Sequence, residues 1–279
     1  MLLAAAFADA ESLFAQSGKP LYTAPLGVQA YTYRNSFPNG VAATLDTIQA
    51  LGITELEGSN PEGTTPEEFR KMVDERGIKI PSMGAGYNEL MANPEEFIKK
   101  AKTLGASYVM VAWIPHPRNN FGIENAQKAV EDFNRVGKIL RENGLTFCYH
   151  IHGYEFRPYQ ESNFFDYMVK NTNPEDVSFE LDILWAYFAG ADPVKLLEKY
   201  GSRWKLMHLK DLKKGVVVGQ TGSTSKENDV ALGTGQIDIP AVLKAAKKVG
   251  IRHYFIEDES SSITVQVPQT IAYLKSLRE

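Results

Sequence analysis

Two histidines close the apolar run "LTFCY": in "YHIHGYEF", His150 and His152 stand two residues apart. In a β-strand such residues share one face, about 7 Å apart along the chain. Facing a pocket, the two imidazoles can hold a metal or move protons; facing solvent, they carry no chemistry. The same spacing recurs. "FELDILW" sets Glu180 and Asp182 two apart, "KLMHLKD" sets His208 before Lys210 and Asp211, and "YFIEDE" ends a run of strand formers with Glu257 and Glu259. Two carboxylates on one face of a buried strand are costly unless positive charge compensates. A divalent cation is the economical compensation, and Lys210 could neutralise Glu180. Plainer roles stand beside these: Asp182 could cap a helix, His208 could be a satisfied core histidine, and Glu257 could lie in a solvated loop.

The elements that must position these residues follow one rhythm. Short β-type runs ("GVQAYTY", "ITELEG", "IKIPSMG", "SYVMVAW", "LTFCYHIH", "VSFELDI", "WKLMHLKD", "HYFIEDE") alternate with stretches of helical periodicity, giving eight strand-helix units. Thr65, Pro66 and Glu68 form a helix start with capping-box spacing, Asn93 and Pro94 repeat it, and Gly52, Gly77, Gly105, Gly144 and Gly250 close helices. Alternation of this kind implies a parallel sheet, and eight units in one domain predict a closed (β/α)8 TIM barrel, class α/β. An open doubly wound sheet is the competitor. It is disfavoured because "YTYRNSFPNG" stands after the first strand in place of a glycine-rich dinucleotide turn.

A barrel places its active site at the C-terminal ends of its strands, so chemistry should collect there. In chain order those ends carry Tyr31, Tyr33 and Arg34; Glu57; Trp113 and His116; His150 and His152; Glu180 and Asp182; His208, Lys210 and Asp211; and Glu257 with Glu259. Four of the five histidines are among them, and His253 opens the last strand. The net charge of −4 comes without a basic stripe, which argues against nucleic acid as a partner. The single Cys148 excludes an internal disulfide and is expected to be inert core. No segment reaches the ~18 uninterrupted apolar residues of a membrane span. Residues 1–24 are Ala/Leu-rich but lack a basic start and carry Asp9 and Glu11, so they read as a leader or the remnant of an export signal; a periplasmic or exported location is favoured over a cytoplasmic one. The barrel is expected over 25–279.

From about Gly27 onward the chain resembles the sugar phosphate isomerase/epimerase family of xylose isomerase-like TIM barrels. The resemblance rests on the order and spacing of "YHIHGYEF", "FELDILWA", "MHLKD", "GTGQIDIPAVLKAAKKVGI" and "YFIEDE". It implies one divalent metal at the barrel mouth, held by one of His150 and His152, with His152 favoured, together with Asp182, His208 and Glu257. Two imidazoles and two carboxylates suit Mn, Co, Zn or Fe(II) and not Ca. The turn at Gly233 and Gly235 would fold over the site. The departure is at the fifth strand, where many sugar epimerases of the family have a glutamate that works with the last-strand glutamate on opposite faces of one carbon.

The chemistry so implied is proton abstraction next to a carbonyl, with the metal stabilising an enediolate. Glu257 is the first choice as base, with Glu57, His150 and Lys210 as further proton-transfer or oxyanion groups. Tyr31, Tyr33, Trp113 and Trp185 would offer flat faces to a sugar, with His116 and Glu180 as polar contacts. Arg34, Arg118 and Lys210 are too scattered to form a phosphate clamp, so the expected partner is a small, non-phosphorylated sugar or keto-sugar, with self-association into a homo-oligomer left open. The reading is therefore a metal-dependent sugar isomerase or epimerase. Its alternatives are a 3-keto-glycoside lyase acting by β-elimination at the same site and a non-catalytic sugar-binding barrel; a metal-dependent apurinic endonuclease is disfavoured by the acidic balance.

Overall fold

Runs of strand formers bounded by glycines and polar turns fold into eight parallel strands: β1 (Gly27–Gln29), β2 (Glu55–Glu57), β3 (Ser82–Gly84), β4 (Tyr108–Val111), β5 (Thr146–His150), β6 (Val177–Asp182), β7 (Trp204–Leu209) and β8 (His253–Ile256). The structure is a computed structural model that describes residues 18–117 and 120–279; the first 17 residues of the expected leader, and Arg118, lie outside the described residues. Around the sheet the strands run β3-β4-β5-β6-β7-β8-β1-β2. Pairing of β1 with β8, Gly27 opposite Phe255, excludes the open doubly wound sheet. Between β2 and β3 the ladder thins to a bridge from Glu55 to Lys79 and a bond from Gly58 N to Ser82 O of 3.1 Å. Pro81 interrupts it there, having no N–H to give. The result is a nearly closed (β/α)8 barrel.

The helices α1 (Val41–Ala50), α2 (Pro66–Asp74), α3 (Tyr87–Ala92), α4 (Pro94–Leu104), α5 (Ile123–Glu142), α6 (Phe164–Asn171), α7 (Ile183–Phe188), α8 (Pro193–Tyr200), α9 (Ile239–Val249) and α10 (Ile263–Ser276) follow the strands, with α3 and α7 as short additions. Thr65 and Glu68 make the expected reciprocal capping box. Asn93 does not repeat it: its side chain donates to Glu96 and caps nothing, so Pro94 alone starts α4. Gly105 and Gly250 end α4 and α9 in the left-handed conformation that glycine adopts without strain.

Strand alternation separates two cores. Phe147 and Tyr149 of β5 turn outward onto Phe133 of α5, at ring distances of 4.7 and 5.1 Å. Met110, Cys148, Leu206 and Phe255 turn inward and plug the barrel; burial pushes the Cys148 thiol well up, so it stays an inert apolar filler. Above this plug β4 continues with Ala112, while β5 to β8 present a polar layer, His150, Glu180, Asp182, His208 and Glu257. One irregularity aligns it: β6 pairs Phe179 with Trp204 but Glu180 with Leu206, so Lys205 is an extra residue. A one-residue slip exchanges the two faces of a strand. Without the bulge Asp182 would stand beside Met207, and His208 would point at the helices.

The leader boundary needs a correction. Residues 19–21 belong to the folded body: Leu21 N donates to Leu277 O at 3.0 Å, Glu279 N donates to Lys19 O at 2.9 Å, and Leu21 is buried. A chain starting at Ala24 should therefore be less stable than one starting at Gly18 by about 2–4 kcal/mol, the worth of a buried leucine and two hydrogen bonds. Equal denaturation midpoints for the two chains would show that this clasp contributes nothing.

Candidate metal centre and cavity

Register delivers the polar groups to one level. His150, the last residue of β5, pairs with Glu180, and Asp182, the last of β6, pairs with His208. Glu257 follows β8 immediately, its N–H on Leu209 O at 3.3 Å. His150 Nδ1 lies 3.1 Å from Glu180 Oε2, which turns Nε2 toward Asp182 Oδ2 at 3.9 Å. His208 Nε2 lies 2.5 Å from Glu57 Oε2, which turns Nδ1 toward Glu257 Oε2 at 3.1 Å and Asp182 Oδ2 at 3.9 Å. Asp182, His208 and Glu257 thus bring three donor atoms within 4.8 Å of one another, and His150 Nε2 faces this group across the 3.9 Å to Asp182.

Asp182 shows that they lack a partner. Its Oδ1 accepts from Trp185 N at 2.9 Å and caps α7, while Oδ2, fully buried, has no hydrogen bond at all. Helix cap and orphaned carboxylate are one residue, so both sequence readings of Asp182 apply. A buried oxygen left bare costs of order 1–3 kcal/mol unless something fills the gap, and the N/O donor set around it is one that a divalent transition metal accepts. A second group of donors, His150, Glu180 and His208, also lies close together. It shares His208 with the first, and its carboxylate, Glu180, is wholly buried beneath the floor, whereas His150, His208 and Glu257 open to the cavity.

The charges balance closely. Burial pushes the Glu257 carboxyl up, but Lys210 and His208 outweigh it and hold the group well below the usual carboxylate range. Burial raises Asp182 to about 6 against the opposing pull of Lys210 and His208. Glu180 is pushed well up, first by burial and then by neighbouring Glu57, which favours its neutral form. His150 is pushed well down by burial and by the other imidazoles, leaving it neutral, the form that binds metals.

Several expected site residues stand elsewhere. Lys210 does not line the cavity: its ammonium lies 2.8 Å from Glu259, 3.1 Å from Glu257, 3.7 Å from Asp229 and 3.8 Å from Asp182, and these carboxylates hold it protonated despite burial. It compensates four acids and not Glu180, and as a locked cation it is no base. Glu57 and Glu180 are likewise absent from the cavity wall; each backs an imidazole, and Gln29 and Ser82 hold Glu57 in turn. Tyr33 is core, because the chain leaves β1 through a 3-10 turn over Ala30–Tyr33 that ends strand alternation; Tyr31 is exposed at the rim and Tyr33 is buried. The Gly233 and Gly235 turn does not cover the mouth either. Its N–H groups donate to Asp211 at 3.0 and 2.9 Å.

His152 separates from His150. Past the strand end the chain turns at Gly153, in the left-handed region with φ 89°, where an added Cβ would meet Trp185 O at 2.8 Å. The His152 ring sits 4.6 Å from His150 among Trp113, Tyr154 and Trp185, lines the cavity, and joins neither donor group. Its Nδ1 is buried and has no hydrogen-bond partner among the described residues, and burial pulls the imidazole down to about 4, so it is a neutral ring.

What holds it there is not legible in the sequence as chemistry. Glu155, wholly buried, accepts from the His152 N–H and from the Tyr149 hydroxyl; Tyr149 bonds Tyr154 at 2.7 Å, and Tyr154 accepts from Ile114 N at 3.0 Å. This chain ties the loop after β5 to the loop after β4, which carries Trp113 and His116. Burial raises Glu155 to about 7 against its hydrogen bonds. The "YEF" segment in "HGYEF" holds Tyr154 and Glu155 side by side, but no spacing rule marks a carboxylate that serves a backbone N–H.

The cavity has a volume of about 1260 Å³ and takes residues from seven of the strand-end loops, Tyr31, Trp113, His116 and Trp185 among them, and Gly84 from the end of β3. The segment that borders its mouth after β7 is 220–223, anchored where Gly219 N and Gln220 N both donate to Phe188 O.

The comparisons with known proteins agree with this architecture. The profile of the xylose isomerase-like TIM barrel family matches residues 45–277. An inosose dehydratase of Bacillus cereus is 30% identical over 208 residues, 66% of this chain and 67% of that protein; two further inosose dehydratases match over 35% and 49% of their lengths. A crystal structure of a sugar phosphate isomerase/epimerase from Parabacteroides distasonis superimposes with a TM-score of 0.71 at 26% identity, covering 92% of this chain and 97% of that one. The IOLI protein with a bound zinc atom shares the fold, with a TM-score of 0.71 at 16% identity over 90% of this chain and 95% of that one. In sequence and in structure, this enzyme belongs to the xylose isomerase-like TIM barrel family.

Proposed function

We propose that the chain is a metal-dependent lyase that removes a β-leaving group, water or an alcohol, from a ring bearing a carbonyl. The observation that carries this is the division of labour at "HIH". Asp182, His208 and Glu257 form a donor group that His150 Nε2 faces and would complete, while His152 is a neutral imidazole on the cavity wall outside it. This reverses the sequence-based preference for His152 as ligand. A divalent ion of the Mn, Co, Zn or Fe(II) class held by those four residues would supply Lewis-acid polarisation of the carbonyl.

His152 then takes the proton from the carbon next to the carbonyl. The electron pair moves into the enediolate and on to expel the β-oxygen, and the imidazolium returns its proton to that oxygen. The ring loses one H and one OH or OR, and His152 ends neutral. Trp113 and Trp185 flank the imidazole and fix the direction in which it faces the cavity. Epimerisation in both directions needs a proton-transfer group on each face of one carbon; His152 lies next to His150, whereas the other cavity imidazole outside the donor groups, His116, is stacked on Trp113, one ring further out. The similarity to inosose dehydratases supports elimination from a cyclic keto-polyol. The Arg34 guanidinium donates to Tyr31 O and Glu259 O, which argues against a phosphate clamp.

The test combines elemental analysis with deuterium uptake from heavy water into inosose and 3-keto-glucosides. One transition metal per chain, exchange, and an unsaturated product are expected. Metal with no exchange on any of these compounds would leave a sugar-binding barrel, and exchange that yields only a rearranged sugar would restore the isomerase.

The carboxylates behind the imidazoles give a separate expectation. Glu57→Gln should weaken metal affinity about 10–100-fold, since such partners set the tautomer and basicity of a ligating histidine. Chelator competition measures it, and unchanged affinity would mean that Glu257 alone orients His208.

A further inference from the structure

The cavity is larger than one sugar ring requires. Pockets for drug-sized ligands run to roughly 300–1,000 Å³, and this one reaches 1260 Å³. One wall of it is an aromatic shelf. Trp113, after β4, is 48% exposed on the cavity side although it is a large apolar ring. It is not loose: it stacks on His116 at 4.6 Å and 20°, and Tyr154 supports it edge-on at 4.9 Å. His116 is itself fixed, Nδ1 to Ile114 O at 2.6 Å, which leaves Nε2 as the imidazole's free edge. From the donor cluster the shelf is reached in two ring-to-ring steps, 4.6 Å from His150 to His152 and 5.7 Å from His152 to Trp113. A rigidly held, half-exposed tryptophan beside a reaction centre is a platform for a flat or C–H-faced ring.

From this we infer that the substrate carries a second ring, an aromatic aglycone or a second sugar joined through the β-oxygen, and that this ring stacks on Trp113. The inference rests on the lyase reading and extends it: the leaving group is an alcohol borne on a ring. Both sources present the same chemistry to the indole, a flat apolar face with polar groups at its edge for His116 Nε2.

Glycosides without a keto group cannot be enolised, so they report binding alone. Dissociation constants of methyl β-glucoside, phenyl β-glucoside and cellobiose, measured by calorimetry on the Mn-supplemented protein, test the shelf. Phenyl glucoside or cellobiose should bind about ten-fold more tightly than methyl glucoside, the gain expected of one stacked ring. In Trp113→Ala that ratio should fall to about one, a change that a general disturbance of the site, acting on all three probes alike, would not produce. A gain for cellobiose alone identifies a second sugar, and a gain for phenyl glucoside alone an aromatic aglycone. Equal affinities, no binding of any probe, or a ratio that survives Trp113→Ala overturns the inference. Deuterium exchange into a keto-sugar judges the parent reading separately, because exchange without the ratio removes only the shelf, and the ratio without exchange removes only the lyase.

Discussion

His150→Ala is expected to lose stoichiometric metal, whereas His152→Ala is expected to keep it and lose about 10²–10⁴-fold in turnover, the usual worth of a positioned acid/base group. The contrast follows from two residues of separation. His150 still obeys the strand, so its ring lies over the floor with Nδ1 on Glu180 and Nε2 toward the bare oxygen of Asp182. His152 has passed the turn at Gly153 and stands against Trp113 and Trp185. Elemental analysis after gel filtration and initial rates of elimination give both readouts from the same two preparations. Metal retained in His150→Ala but lost in His152→Ala would exchange the two roles and return His152 to the ligand set.

Much of this architecture is legible in the amino-acid order. Strand-helix alternation carries the barrel, because parallel strands buried on both faces read as apolar runs and their helices as a 3.6-residue period. Strand-end placement carries Asp182, His208 and Glu257 for the same reason: in a barrel, one rule fixes where the chemistry sits. The failures cluster where the backbone leaves the strand period. Alternation puts Tyr33 in the site, yet it lies past a 3-10 turn; alternation likewise pairs His152 with His150, yet it lies past the strand end. Lys210 keeps the inward face, but its occupation by four acids depends on Asp229 and Glu259, which no local pattern joins to it. The Glu155, Tyr149 and Tyr154 chain is invisible for a further reason: two of its bonds end on backbone N–H groups, which carry no side-chain signature.

The site is also economical with charge. Glu180 and Glu57 lie under the floor, where two ionised carboxylates would repel, and this repulsion adds to burial in pushing Glu180 toward its neutral form. In the proposed donor set Asp182 and Glu257 are joined by two imidazoles, His150 and His208. An imidazole adds a donor atom without adding negative charge, so the cluster needs less compensation than an all-carboxylate floor.

That compensation comes from Lys210, and its removal should be the most damaging single change to the fold near the site. Lys210→Met keeps the stem's length and apolar packing while deleting the ammonium, leaving Asp182, Asp229, Glu257 and Glu259 facing one another. Breaking a buried pair by removing one partner costs about 3–5 kcal/mol. The sign with pH follows. Glu257 is held well below the usual range in the folded chain, so its stabilisation is present above the unfolded carboxylate pKa of about 4.3 and is lost as pH falls through the folded value. Deleting Lys210 removes its share of that benefit, so the variant's deficit should be largest near neutral pH and shrink in acid as the carboxylates protonate. A bound divalent ion would compensate Asp182 and Glu257 in the ammonium's place, so the deficit should also be smaller in metal-loaded than in chelator-treated protein. Urea denaturation of both forms at neutral and mildly acidic pH measures all four quantities, and a deficit indifferent to pH and to metal would mean that the lysine stabilises the barrel by packing and not by charge.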